Sequence, residues 1–413
     1  MNDVDVVVVG AGAVGASAAL WLQRRGHSVV LADPSPPGSG ASSGNACTLA
    51  TYACIPVNTP GVLWNLPGLL MSRNSPLALS LSYALANPRW MSGFLANCRA
   101  SRSRAIAQQL AMLLSHADAG LNPLIEDAGA EDLIVDRGQI TVWSTNGAAR
   151  RDEANLALRQ VLGVSFETLT GDEVAAFEPE LDLQVVKGVF FPGARHIRDT
   201  QALTARFVTR FEALGGRLVA DRVTSVSADG DGVELRLSTD VLRANRVVIA
   251  AGAFSGDIAG SGVQSLPLGV ERGYHVRFAR EGHRITRPVG WSEGGFYAVP
   301  TAQGLRFAGT VELAPPDAPP NKKRLAYIAR RSQQMFKGLP KPTGTWLGHR
   351  PTMPDSLPVI GHSPKSDRII HAFGHQHLGL TLAGITGRIV ADLAEGRTPN
   401  VPVDAFRPDR RFY

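Results

Sequence analysis

The 413-residue sequence predicts an α/β chain of two domains, and three stretches carry the prediction. The opening "VDVVVVGAGAVGASAALWLQRRGHSVVLAD", Val4 to Asp33, reads as strand, glycine turn, helix and strand. Far along the chain, "RVVIAAGAFS" (Arg246 to Ser255) reads as a buried strand ending in small residues. Near the end, "RIIHAFGHQHLGLTLAGITGRIVADLAEG" (Arg368 to Gly396) reads as strand, glycine-bearing loop and helix. The prolines, apolar helical stretches and strands of the middle of the chain read as a second domain.

In the opening stretch, Gly10, Gly12 and Gly15 have GxGxxG spacing after a β-branched run, and an acid, Asp33, ends the second strand. Strand, glycines, helix and acid together are the dinucleotide fingerprint. Gly10 makes the tight turn and Gly12 lets the backbone approach a pyrophosphate. Ala13 and Val14 open the helix whose positive N-terminus faces that anion, and Gly15 allows close helix-to-strand packing. Asp33 then accepts hydrogen bonds from a ribose. The fingerprint alone does not separate NAD from FAD.

The loop that follows, "PSPPGSGASSGNACTLA", is turn-rich and offers Ser42, Ser43 and Asn45 to the cofactor. Beyond it, Gly61 to Leu114 alternates apolar helical stretches with prolines, and "DLIVDRGQITVWST" (Asp132 to Thr145) is strand-like. The apolar stretch Leu63 to Leu70, with Trp64, is expected to pack in the core; the rival use is contact with a membrane or partner. From Asp199 the pattern gives a long amphipathic helix, a strand ending near Val226, a turn at "ADGDG" and two more strands, which returns the chain to the first domain. A helix ending near Phe336 follows the linker-like "APPDAPPNKKR".

Composition narrows the class. With 44% hydrophobic and 19% charged residues the chain is globular and long enough to bury a large cofactor. The net charge of +6 comes from scattered basic residues, and no aromatic-plus-basic motif supports a nucleic-acid role. Cys47, Cys54 and Cys98 have neither disulfide nor metal-site spacing, so no metal is expected and a reducing compartment, the cytoplasm, is. Uncharged runs at Val6 to Leu22 and Pro34 to Ser72 are too broken by glycines and prolines to be membrane helices. The chain is expected to be soluble or peripheral to the inner face of the membrane.

With "ASSGNA", "IPVNTPGV", "VERGY", "GHRPTMPDSLPVIG" and "GHQHLGLT" in order, nearly the whole chain resembles the D-amino acid oxidase and dehydrogenase superfamily of FAD enzymes, most closely its bacterial D-amino acid dehydrogenase branch. The resemblance implies a Rossmann-like FAD-binding domain from discontinuous segments (1–50, 194–262 and 347–413). It also implies a substrate domain (51–193 and 263–346) whose mostly antiparallel sheet roofs the flavin. It implies FAD contacts from Ala46, Val223, Ala251, Gly252, Gly374, His375, Gly379, Leu380 and Thr381, beside the fingerprint and loop residues named above.

By the same resemblance, the arginine of the family's "RP" motif falls on Arg350 and pairs with the substrate carboxylate, and the tyrosine of its "YxxP" strand falls on Tyr297 and donates to the same group. A guanidinium fits a carboxylate bidentately and keeps its charge. The rival reading of Arg350 is an ion pair with Asp355, and that of Tyr297 is packing alone. His275, His349, Gln376 and His377 are further pocket candidates; Gln376 and His377 replace smaller residues common in relatives, and His377 either lines the site or fills it.

The function expected from this is oxidative deamination of a D-amino acid by hydride transfer from Cα to flavin N5, giving an imine and then a 2-oxo acid, with a quinone or redox protein as electron acceptor. Two rivals stand beside it: a D-hydroxyproline or D-proline dehydrogenase giving a pyrroline carboxylate, and a non-catalytic or electron-transfer flavoprotein subunit of a larger complex.

Overall fold

The computed structural model describes residues 4–64, 77–279 and 285–413. Val4–Val9 is a central strand of an eight-stranded sheet, and Val6 to Val9 are buried because apolar layers cover both of its faces. Val29–Ala32 pairs with it in parallel on one side and Val241–Ile249 on the other, and Ser366–Phe373 runs parallel beyond the latter. Arg217–Val219 adds a parallel strand next to Val29–Ala32. Val359–Ser363 and the ribbon of Gly232–Leu237 with Val223–Asp229 complete the sheet in antiparallel pairing. Five neighbouring parallel strands therefore end at one edge, at Val9, Ala32, Ile249, Phe373 and Val219.

Helices Ala13–Arg24, Thr200–Ala213 and Ala383–Ala394 share one apolar cluster with this sheet. The first and last touch through Gly387, where a Cβ would lie 2.8 Å from the Ser17 backbone. Helices Ala100–Leu114 and Ala117–Asp127 join the same cluster with Ile106, Leu110, Leu113, Leu121 and Leu124, and Gly120 meets Gly384 backbone to backbone. That corrects the expected division, which put all of 51–193 in the other domain: these helices bury their apolar stripes against the first sheet's helices.

A second, nine-stranded sheet runs in the order Gly344–Thr352, Gly269–Phe278, Gly304–Leu313, Phe296–Thr301, Val289–Trp291, Gln139–Trp143, Lys187–Phe191 and Glu167–Leu169, with Leu77–Leu79 beside Gly304–Leu313. All neighbours are antiparallel except two parallel pairs, Val289–Trp291 with Gln139–Trp143 and Leu77–Leu79 with Gly304–Leu313. One face buries Tyr274, Val276, Phe278, Phe296 and Phe307 with helix Lys322–Met335. Alternation along the strands sends Glu271, His275, Tyr297, Arg306 and Arg350 to the opposite face. Because Gly344–Thr352 pairs over its whole length in this sheet, the chain returns to the first domain after Thr352, not at 347. A small sheet of Thr48–Leu49, Arg195–Ile197 and Ile134–Val135 completes the strand inventory of the described residues.

No helix of the described residues is long and apolar enough to cross a membrane. The stretch expected to pack or touch a membrane begins in helix Pro60–Trp64, and from Asn65 it lies outside the described residues. Cys47, Cys54 and Cys98 are free and buried.

Asp355 is taken by Arg410, whose Nε and Nη2 meet both carboxylate oxygens at 2.8 and 3.2 Å with the two side chains only 6% and 9% exposed. Arg410→Ala leaves that carboxylate buried without its counter-charge, so a stability loss of about 3–5 kcal/mol is expected. A lowered urea midpoint at unchanged slope is the readout; an unchanged midpoint overturns the assignment.

Candidate active site

The edge where the parallel strands end carries the fingerprint. Gly10 has φ +107°, and a Cβ there would lie 2.6 Å from the Ala250 carbonyl oxygen; one on Gly15 would lie 1.8 Å from the Gly10 oxygen. The protein itself therefore demands glycine at both. Gly12 differs: a Cβ there meets only Ser42 Oγ, at 3.5 Å, so no protein atom explains the glycine, whereas close approach of an anionic ligand does. Helix Ala13–Arg24 begins there with no acid in its first turn, and the Ala13 N–H donates to Ser42 Oγ at 3.0 Å. Asp33, half-buried at the end of the second strand, accepts the Ala11 N–H on Oδ2 at 2.8 Å and the Ser35 N–H on Oδ1 at 2.8 Å, which fixes the carboxylate beside the glycine turn.

Ala251 and Gly252 (φ +57°) end the third strand, and Gly374 (φ +82°) ends the fourth, so they gather at the same edge as Gly10, Gly12 and Asp33. The fit to a dinucleotide such as FAD is thus made by backbone at the glycines and by one placed acid. Other expected cofactor residues have structural work visible. The Ser43 hydroxyl donates to the Ser39 and Gly40 carbonyls, Asn45 Oδ1 accepts the Cys47 N–H, and Thr381 Oγ1 accepts the Ala50 N–H. Ala46 is half-buried between them, Leu380 is in the apolar core, and Val223 starts an antiparallel strand with its side chain in the core. His375 pairs its Nε2 with Thr386 Oγ1 at 2.9 Å, and burial pulls its pKa down to about 3. Gly379 follows in the turn before helix Ala383–Ala394.

Arg350 leans across the neighbouring strand, so that a Cβ on Gly273 would lie 2.7 Å from its Cζ. Among the described residues its guanidinium makes no hydrogen bond and no ion pair; Asp355 belongs to Arg410, which removes the structural rival. Its cross-strand neighbour is Glu271, buried at 3% exposure, which opposes the pull of burial on the Arg350 pKa. His377 stands in the same field: burial, then the Arg350 charge, lowers its pKa to about 4, yet the residue is exposed. Both hold for a side chain at the wall of a deep cleft. Gln376, held in a left-handed conformation (φ +49°), donates to Thr352 Oγ1 at 2.7 Å and Ser356 Oγ at 3.3 Å. An isolated bridge between Thr352 and His375 ties this turn to the arginine's strand.

Tyr297 is half-buried on the same sheet face as Arg350, on a more distant strand, and borders a cavity of about 310 Å³ with Tyr52, Phe191, Arg159 and Asp152. Tyr52 was not among the sequence candidates. Burial, then Tyr297, pushes its pKa well above the usual value, and its hydroxyl accepts from Gln139 Nε2. Of two further pocket candidates, His349 leaves the face that carries Arg350 and His275 stays on it, engaged with the loop after the fingerprint. His349 projects from the other face to the Pro316 carbonyl, 3.0 Å away, and meets Phe254 edge-on. His275 is buried, stacked on Trp346 with its Nδ1 2.9 Å from the Gly44 carbonyl; burial, then Arg306, takes its pKa to about 4. Arg306, also missed in the sequence, donates to the Ser43 and Asn45 carbonyls at 3.0 and 2.9 Å. It clamps the loop after the fingerprint to the second sheet.

Gly12→Ala is expected to leave the melting temperature of the cofactor-free protein unchanged and to weaken FAD retention on the order of tenfold or more, measured by flavin fluorescence on dilution. A parallel loss of fold stability overturns the ligand reading of Gly12. With His275, His375 and His377 all held neutral, His377→Asn should change the size of kcat/KM but not its pH profile over about pH 6 to 9. An inflection that disappears in the variant overturns this.

The comparisons agree with this geometry. Residues 5–393 match the family model DAO, described as FAD dependent oxidoreductase. The chain is 36% identical over 414 residues, 98% of each chain, to a D-amino-acid oxidase of Bradyrhizobium diazoefficiens. It is 28% identical over 429 residues, 96% of this chain and 98% of the other, to D-amino acid dehydrogenase 2 of Ralstonia nicotianae. The crystal structure of glycine oxidase from Geobacillus kaustophilus superimposes with a TM-score of 0.78 at 23% identity, covering 99% of both chains. With a dinucleotide edge made of glycine backbone and a family model that spans it and the second sheet alike, the chain belongs to the DAO family of FAD-dependent oxidoreductases.

Proposed function

We propose that the chain oxidises a D-α-amino acid to its imine, with Arg350 as the carboxylate anchor. The observation that carries this is the Arg350 guanidinium, laid over Gly273 beside the cleft-lining His377 and without a hydrogen-bond or ion-pair partner among the described residues. A planar cation in that state is suited to a bidentate carboxylate. Similarity to a D-amino-acid oxidase and to D-amino acid dehydrogenase 2 supports the substrate class. Tyr297, expected to donate to the same carboxylate, leans over Gly290 in a cavity that Arg350 does not line, and Tyr52 beside it stays protonated because its pKa lies well above the usual value. FAD, when bound, supplies the hydride acceptor. Neutral His377 lines the pocket and holds no proton to give, and an amine that enters unprotonated needs no base. The imine hydrolyses in water to a 2-oxo acid and ammonia.

The two relatives differ in name over the electron acceptor, oxidase for one and dehydrogenase for the other. Our reading is a dehydrogenase passing electrons to a quinone or redox protein; rapid reoxidation of the reduced protein by oxygen overturns that part alone. The reaction itself is tested by anaerobic mixing with D- and L-amino acids, both prolines and cis-4-hydroxy-D-proline while following loss of oxidised-flavin absorbance. Bleaching by D-isomers is expected. Bleaching by the cyclic amines alone selects a D-hydroxyproline or D-proline dehydrogenase, and none at all selects a non-catalytic or electron-transfer subunit. Arg350→Ala should lower kcat/KM for the best substrate by about 2–5 kcal/mol of transition-state binding. An unchanged value sinks the anchor assignment.

A further inference from the structure

Glu271 and Arg350 are directly opposed across two antiparallel strands, so both side chains leave the same face of the sheet. Glu271 is 3% exposed, and its Oε1 accepts from Thr352 Oγ1 at 3.1 Å. Gln376 Nε2 donates to that same Thr352 oxygen at 2.7 Å, which leaves the threonine its own proton to offer the carboxylate. Arg350, Thr352 and Tyr83 are the groups that act on Glu271, and the others on the neighbouring elements are neutral or paired. Arg350 is the cation from the next strand, and His377, from the turn after Phe373, is neutral with a pKa near 4. Tyr83 of helix Leu81–Ala86 accepts the Val270 N–H at 3.3 Å, and burial with Glu271 nearby raises its pKa, so it too is neutral. Trp90 of helix Pro88–Asn97 donates to the Thr352 carbonyl, and Asp355 is balanced by Arg410.

Without a ligand, one buried carboxylate therefore faces one guanidinium. A ligand carboxylate on Arg350 puts two negative charges against a single positive one in surroundings that solvate neither well. We propose that Glu271 is a positioning residue for Arg350 and binds one proton from solvent whenever a carboxylate occupies that arginine, releasing it when the carboxylate leaves. An O–H bond forms on Glu271 and no electrons move. This rests on the proposal that Arg350 is the substrate anchor. The direction is consistent with the free state: burial raises the Glu271 pKa and Arg350 opposes it, so a ligand that offsets the arginine raises it further. The coupling sits above the raised free-state value, and binding weakens as pH climbs through that window.

The probe is pyruvate, which has a carboxylate and no amine, titrated into the FAD-loaded protein by flavin absorbance at steps over about pH 6 to 9. The expected Kd rises about tenfold per pH unit over part of that range. In weakly buffered solution with a pH indicator, about one proton is taken up per pyruvate there. Glu271→Gln should bind pyruvate with a flat pH profile and no uptake. Binding in the native protein that is independent of pH and takes up no proton overturns the coupling, as does a Glu271→Gln variant that keeps the slope. Should that variant fail to hold FAD, proton uptake by the native protein decides alone. Arg350→Ala separates the two proposals: pyruvate binding unchanged in it overturns the anchor and the coupling together. Binding lost in it, with a pH-independent native Kd, overturns only the coupling.

Discussion

A charged group surrounded by protein must find a counter-charge, and the second sheet is arranged round one that has found only half of its own. Arg350 has Glu271 opposite it but no bonded partner among the described residues. Two features keep it so. Gly273 leaves room for the guanidinium to lie flat across the strand, and Arg410 takes the acid that is nearest in sequence. A residue with a Cβ at 273 would push the cation out of its place, and a free Asp355 would compete for it.

The same economy governs the contact between the two sheets. The loop after the fingerprint carries carbonyl groups that have no strand to pair with, and buried carbonyls need donors. Arg306 and His275, both on the face that carries Arg350, supply them at Ser43, Asn45 and Gly44. Trp346 stacks on that histidine and covers Gly44, where any side chain would collide with the indole. The loop that reaches the helix N-terminus through Ser42 is thus fixed from the side of the second sheet, which ties the glycine edge of the first sheet to the face that carries Arg350.

Local pattern was enough for the fingerprint because its residues are contiguous and each has a backbone reason visible in the spacing. Gly10 and Gly15 behave as a tight turn and a close packing contact require. The helix Thr200–Ala213 is legible through its amphipathic period, and the structure adds the Asp199 cap. Glu271, Arg306 and Tyr52 were not legible, because their meaning comes from strand registers between segments far apart in sequence, which no short window contains. The error over His349 was avoidable: it precedes Arg350 in one strand, and successive strand residues face opposite ways. Helices Ala100–Leu114 and Ala117–Asp127 were assigned to the wrong core because their apolar stripe tells that they are buried and not against what.

The interleaving of the two sheets along the chain has a consequence for how the protein is made. Val4–Val9 is made long before its partner on one side, Val241–Ile249, and before the strand beyond that, Ser366–Phe373. During synthesis an apolar strand, buried on both faces in the finished protein, waits with an open edge while most of the chain is still being added. Nascent chains of this topology spend that interval with an unpaired apolar edge exposed, which puts the aggregation hazard in biosynthesis.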